Sequence, residues 1–132
     1  EAAALAASLF NSEGTPAADP LELCQQLSNS VKSIVITLGR KGCVYSERPG
    51  SYARHIPGHK VDRVVDSTGA GDAFVGGLAA CLSQGSSFTR AVEVANAFAS
   101  LTVRTPGAST SYRSAAEMLH DCGDIEVGVG LV

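Results

Sequence analysis

Hydrophobic positions along the chain change period several times, and each change marks a predicted element. Residues 1–10 hold small apolar residues at helical density, and Asn11-Ser12-Glu13-Gly14-Thr15-Pro16 stops them. A second helix is predicted at Asp19-Pro20-Leu21-Glu22, with Asp19 as N-cap, Pro20 in the first helical position and Glu22 three residues on. Residues 33–38 form a continuous apolar, β-branched run, which predicts a strand buried on both faces. Gly39-Arg40-Lys41-Gly42 turns the chain into Cys43-Val44-Tyr45-Ser46. Pro49-Gly50 turns it again ahead of alternating Tyr52, Arg54 and Ile56, giving a small antiparallel section.

The second half reads in the same way. Residues 61–65 predict a short strand, and a helix is expected from Ala70 to about Gln84 with a stripe of Phe74, Leu78, Cys81 and Leu82. Gly85-Ser86-Ser87 ends that helix and caps another from Phe88 to about Val103. A loop over 104–111 follows. Ser114 and Glu117 could box a last short helix, and the alternation of Ile125, Val127, Val129 and Leu131 predicts a weak terminal strand. Helices alternating with buried strands predict an α/β layered fold in one domain over residues 1–132. There is no internal repeat and no low-complexity linker.

Composition narrows the function classes. The chain has 132 residues, 45% of them hydrophobic, with no Trp, so small aliphatic side chains must fill the core. A formal charge of −3 gives no footprint for nucleic acid or anionic membrane. No apolar run approaches the roughly 18 residues of a membrane span, so a soluble protein is expected. Cys24, Cys43, Cys81 and Cys122 form no C-x-x-C pair, and three of them sit within predicted elements. Reduced, half-buried thiols and a cytoplasmic setting follow. His55 and His59 have i, i+4 spacing, but in a strand-like stretch that argues against a metal pair. The opening Glu1-Ala2-Ala3-Ala4 is already helix sequence without a cap, which reads as part of a longer chain.

Chemistry concentrates in Asp66-Ser67-Thr68-Gly69-Ala70-Gly71-Asp72: a strand end, a glycine-flanked turn and a carboxylate at a helix start. Gly69 and Gly71 remove side chains where a ligand would approach the backbone. The first N–H groups of the helix lack internal partners and carry the positive end of its dipole, which makes an anion site suited to phosphate. Asp72 is either a cap or dipole partner, or a general base that takes a proton from an attacking hydroxyl. The P-loop pattern is absent. The dinucleotide fingerprint starts at Gly69 and Gly71 but meets Phe74 where its third glycine belongs.

The ungapped run Asp66-Ser67-Thr68-Gly69-Ala70-Gly71-Asp72-Ala73-Phe74-Val75-Gly76-Gly77-Leu78 resembles the C-terminal signature of the ribokinase, or PfkB, family of carbohydrate kinases. Thr37-Leu38-Gly39-Arg40-Lys41-Gly42 is similar to the family's strand and nucleotide-binding turn, and Asn96 stands where members place an Asn at the nucleotide base. Pro106-Gly107-Ala108 with Ser111 resembles the loop that binds a monovalent cation. Glu1 resembles the end of the N-x-x-E motif linked to magnesium and phosphate. The resemblance spans about residues 1–118, and the tail over 121–132 fits it poorly.

The resemblance implies the C-terminal portion of a three-layer α/β sandwich, lacking the first half that holds the sugar and supplies a β-sheet lid. ATP would lie along Thr37, Leu38, Gly39, Arg40, Lys41 and Gly42, with its phosphates at the amides of Gly69, Ala70, Gly71 and Asp72. Asp72 would also contact the substrate, taking the proton as a sugar hydroxyl attacks the γ-phosphate. Mg²⁺ offsets the triphosphate charge. K⁺ would be held by Asp66, Thr68, Thr102, Thr105, Gly107 and Ser111. The Gly107-Ala108 loop favours ribose as acceptor over fructose or adenosine. Sugar and ATP are the implied partners, with a homodimer through the missing lid as the implied assembly. The segment alone is expected to be inactive. Two rivals stay open: a nucleotide-dependent oxidoreductase built on Gly69 and Gly71, and a non-catalytic nucleotide-binding or dimerising module. Asp66, Thr68, Thr37 and Gly39 could also be turn braces, Asn96 a surface residue, and Arg40 and Lys41 solvated charges.

Overall fold

The computed structural model of the chain describes residues 19–112 and residue 114. Glu1 and Cys122, the predicted helix over 1–10, the last helix with Glu117 and the strand over 125–131 lie outside the described residues. The chain divides into two compact units, Glu1–Pro57 and Gly58–Val132.

In the first unit, helix α1 (Pro20–Leu27) starts as its sequence predicts. The Asp19 carboxylate accepts from the Leu21 N–H at 3.0 Å, and Pro20 occupies the first turn, where no N–H is needed. The sheet follows as β1 (Ile34–Thr37), β2 (Cys43–Ser46) and β3 (Arg54–Ile56), antiparallel in the order β1-β2-β3. Val35 faces Tyr45, and Tyr45 faces Arg54 across the other seam.

The expectation for β1 needs correction. Its residues are half-buried and Thr37 is exposed, whereas all four residues of β2 are buried. The central position explains this: α1 packs on both strands, but β2 is paired on both edges, while β1 is paired on one edge among the described residues. Gln25 ties α1 to the β2–β3 connection. Its side-chain N–H donates to the Ser51 carbonyl at 3.0 Å, and its oxygen accepts from the Ala53 N–H at 2.8 Å. Cys24 and Cys43 are free thiols with no exposed surface. Burial, with Cys24 nearby, pushes the Cys43 thiol up to about 11, so it stays protonated and unreactive.

The second unit is built on two helices, α2 (Ala70–Ser83) and α3 (Phe88–Thr102). Ser87 caps α3, its hydroxyl accepting from the Arg90 N–H at 3.3 Å. Arg90 also pairs with Glu93 at 3.0 Å. The buried face of α2 is Ala73, Phe74 and Gly77. Leu78 and Cys81 are half-buried, and Leu82, placed in the predicted stripe, is exposed. Gly77 shifts the seam, because a Cβ there would stand 3.2 Å from the Phe98 ring and 3.4 Å from the Ala95 Cα. The missing side chain is therefore what lets α3 approach α2.

Residues 61–65 do not form the predicted strand. A strand needs a neighbour's ladder, and this segment's bonds run instead to a helix end: the Val65 and Asp66 N–H groups both donate to the Val103 carbonyl, at 2.8 and 3.2 Å. Val64 and Val65 are left 47% and 44% exposed. No helix among the described residues is long and apolar enough to cross a membrane.

Leucine in place of Gly77 should force α2 and α3 apart, at an overpacking cost of about 1–3 kcal/mol. Urea denaturation of G77L is expected to show a lower midpoint with an unchanged slope. An unchanged midpoint would mean that the seam tolerates a side chain.

Candidate active site

The turn that opens α2 is tied at both ends by Asp66. One carboxylate oxygen accepts from the Thr68 N–H at 2.8 Å and the other from the Gly107 N–H at 3.0 Å, across 41 residues. Hydrogen bonds from the Thr68 hydroxyl and amide, and from the Gly107 amide, hold the Asp66 carboxyl below the usual carboxylate range. Gly107 has φ +89°, and a Cβ there would run into the Thr110 hydroxyl, so this residue type is needed for the loop to present its N–H.

Gly69 has φ +81° and forms the N-cap of α2 without a capping side chain. Its Cβ direction is filled: a methyl there would meet the Tyr112 hydroxyl at 3.0 Å and Ala108 at 3.1 Å. The Ala73 N–H donates to the Gly69 carbonyl at 2.8 Å, the first bond of the helix, and the Ala70 N–H donates to the Ser67 carbonyl at 3.2 Å. Of the amides predicted to cradle phosphate, Ala70 is thus engaged in the turn. The Gly71 and Asp72 N–H groups have no acceptor among the described residues, and both residues are exposed. A Cβ on Gly71 would meet nothing within 4 Å, so the turn is open on that side.

Asp72 lies in the first turn of α2 but does not cap it. Its carboxylate accepts no hydrogen bond among the described residues and faces solvent. Helix initiation falls to Gly69 and the Asp66 turn.

The other expected loop residues gather close by. Asp66, Thr68 and Gly107 are directly bonded. The Thr105 N–H donates to the Thr102 carbonyl at 3.3 Å, next to the Val103 carbonyl that holds Asp66. The Thr102 hydroxyl, fully buried, donates to the Phe98 carbonyl at 3.0 Å. The Ser111 amide and hydroxyl both donate to the Ala108 carbonyl. Asn96 sits in α3 at 4% exposure, which removes the surface-residue reading, and its carbonyl accepts from the Ser100 hydroxyl at 2.8 Å.

In the first unit, Thr37 ends β1 and a 3₁₀ turn covers Gly39–Lys41. The Leu38 N–H donates to the Gly42 carbonyl at 2.7 Å, closing a tight loop with Arg40 and Lys41 exposed on it. His55 supports the loop through a 2.8 Å hydrogen bond between its Nε2 and the Lys41 carbonyl. That backbone partner gives His55 a structural role. Among the described residues no group of three or more His, Cys, Asp or Glu could hold a metal ion. The sequence spacing of His55 and His59 raised only the metal-pair question and not this supporting bond, and Tyr112 was missed, since a lone ring beside a turn carries no spacing signal.

Comparison with known proteins places the chain in a family. Residues 3–115 match the pfkB family carbohydrate kinase model. Mouse ribokinase is 38% identical over 88 residues, which is 65% of this chain and 27% of that protein. Among solved structures, Arabidopsis thaliana ribokinase complexed with ribose and ATP superposes with a TM-score of 0.63 at 32% identity, covering 68% of this chain and 28% of that one. Vibrio cholerae fructokinase, as a double mutant with fructose, ADP and potassium ion bound, gives a TM-score of 0.64 at 34% identity, covering 75% and 33%. The chain belongs to the pfkB family of carbohydrate kinases, and its fold is a partial α/β ribokinase-like one. It spans about a quarter of the length of the relatives it matches. Membership leaves the dinucleotide reading without support, as Phe74, at the would-be third glycine, is a buried residue of the α2 seam.

The Asp66 bridge has a pH signature. A carboxyl whose folded-state pKa is lowered adds stability that is present above its unfolded value, near 3.8, and is lost as pH falls through the folded value. The second unit should therefore lose stability progressively on acidification below about pH 4. Asp66→Asn should lower the neutral-pH denaturation midpoint and flatten this acid limb. Parallel acid limbs for the two proteins would show that the bridge adds no stability.

Proposed function

We propose that this segment is the phosphoryl-transfer part of an ATP-dependent sugar kinase, with ribose as the acceptor and Asp72 as the general base. The observation that carries the reading is the start of α2, where the Gly71 and Asp72 amides and the Asp72 carboxylate have no partner among the described residues. Amides at Gly71 and Asp72 suit the charge that develops on a transferring phosphoryl group. The Asp72 carboxylate takes the proton from the sugar hydroxyl as its oxygen bonds the γ-phosphorus. The bond from that phosphorus to the bridging oxygen breaks, and ADP leaves. The nucleotide would use Thr37, the 38–42 turn and Asn96. The ribokinases and fructokinase among the relatives support a sugar acceptor, and the Gly107-Ala108 loop is the reason for preferring ribose.

Two cations belong to this reading. Mg²⁺ would offset the triphosphate charge, and Glu1, assigned to it by resemblance, lies outside the described residues. K⁺ would be held by Asp66, Thr68, Thr102, Thr105, Gly107 and Ser111, an all-oxygen set that fits a hard alkali ion. In this structure the Thr102 and Ser111 hydroxyls donate to carbonyls, and each oxygen keeps lone pairs that can face a cation. The Vibrio fructokinase, with its potassium ion, supports this choice.

In the full-length protein, Asp72→Asn should leave ATP affinity unchanged or tighter, since it removes a negative charge beside the triphosphate. The kcat for sugar phosphorylation should fall about 100-fold or more. Near-normal kcat would exclude Asp72 as the base, and loss of ATP binding would make its role structural.

Replacing K⁺ by Na⁺ or a bulky organic cation should lower activity. A rate indifferent to the monovalent cation would reduce the six oxygen donors to turn braces.

A further inference from the structure

Tyr112 packs against Gly69, the residue that opens α2. Its hydroxyl lies 3.5 Å from the Gly69 carbonyl and donates towards it. The same hydroxyl fills the Cβ direction of Gly69 together with Ala108. Its ring packs against Phe98 of α3, with centroids 6.4 Å apart and planes tilted by 55°. Phe98 in turn covers Gly77 at the α2–α3 seam. Tyr112 thus touches the cap residue of α2 while its ring rests on the helix packed behind it.

The loop that contains Tyr112 already grips the turn elsewhere, where the Gly107 N–H meets Asp66. Residues 66–69 are therefore held at two points by residues 107–112, one through a carboxylate and one through a phenol. The carbonyl that Tyr112 approaches is the acceptor of the Ala73 N–H, the bond that sets the first turn of α2. Rotation of the Gly69–Ala70 peptide would tilt the next two N–H groups, those of Gly71 and Asp72.

We infer that Tyr112 is a positioning residue: it fixes the Gly69 peptide, and so aims the Gly71 and Asp72 amides and the Asp72 carboxylate. Its consequence for catalysis rests on the sugar-kinase reading above, while its structural part does not. The 3.5 Å separation is long for a hydroxyl bond, so close packing against Gly69 shares the task and the effect of the hydroxyl alone is modest.

Tyr112→Phe isolates that hydroxyl, because it keeps the ring on Phe98. Amide hydrogen exchange on the chain itself should show Ala73 exchanging about two- to fivefold faster, while Val92 and Ala95 in α3 stay at wild-type rates. In the full-length protein, kcat should fall by a similar factor, with KM for the sugar unchanged. Unchanged exchange at Ala73 would overturn the proposal, as would faster exchange spread evenly over α2 and α3, which marks a purely global role. Faster Ala73 exchange with wild-type kcat would also overturn it. If the wild-type protein transfers no phosphate, the sugar-kinase reading fails, and Ala73 exchange still decides whether Tyr112 holds the peptide.

Discussion

The second unit depends on one carboxylate accepting two amides. Asp66 has no long side chain to reach with, so Thr68 and Gly107 must come to it, and they do so from the two sides of the α2 start. The Gly107 bond closes a loop of 41 residues, whose entropy cost grows only slowly with size, so one charge-assisted bond offsets part of it, while the Thr68 bond shapes the turn locally. The Val103 carbonyl adds a third tie by holding the Val65 and Asp66 amides at the end of α3. With residues 65–68 fixed in this way, α2 begins at Gly69 without a capping side chain, and Asp72 is left free of that task.

A helix start that is to bind an anion needs donors that the fold itself leaves unsatisfied. A capping Ser or Asp at position 69 would have engaged the Gly71 or Asp72 amide, closing the site from within. Glycine provides the left-handed backbone and offers no competing oxygen. The first unit uses a comparable economy at its own turn. There the 38–42 loop closes through backbone bonds, and His55 steadies it from β3, leaving Arg40 and Lys41 exposed. Both candidate turns thus hold their shape by hydrogen bonds to their own backbone and neighbouring side chains.

Much of this was legible in the residues, for reasons that differ by element. Asp19-Pro20 and Ser87 announced two helix starts because capping is a local, side-chain-to-backbone interaction. The antiparallel section around Pro49-Gly50 was legible from its turn chemistry. The burial of β1 and the strand over 61–65 were misjudged because both depend on neighbours that sequence spacing cannot supply. The apolar face of α2 was misplaced for the opposite reason: Gly77 marks the closest approach through lacking a side chain, which a search for large apolar residues passes over. At the candidate site the motif identified the turn and Asp72. It did not reveal that Ala70 is engaged with Ser67, nor that Tyr112 backs Gly69.

If the start of α2 offers its Gly71 and Asp72 amides to a phosphate, the ¹⁵N–¹H resonances of the chain will report it during titration with Mg²⁺–ATP and, separately, with inorganic pyrophosphate. Saturable shifts are expected at Gly71 and Asp72 with both ligands, larger than any in the distal turns of α2. Shifts confined to other residues, or none at these two amides at saturating ligand, would contradict phosphate binding there.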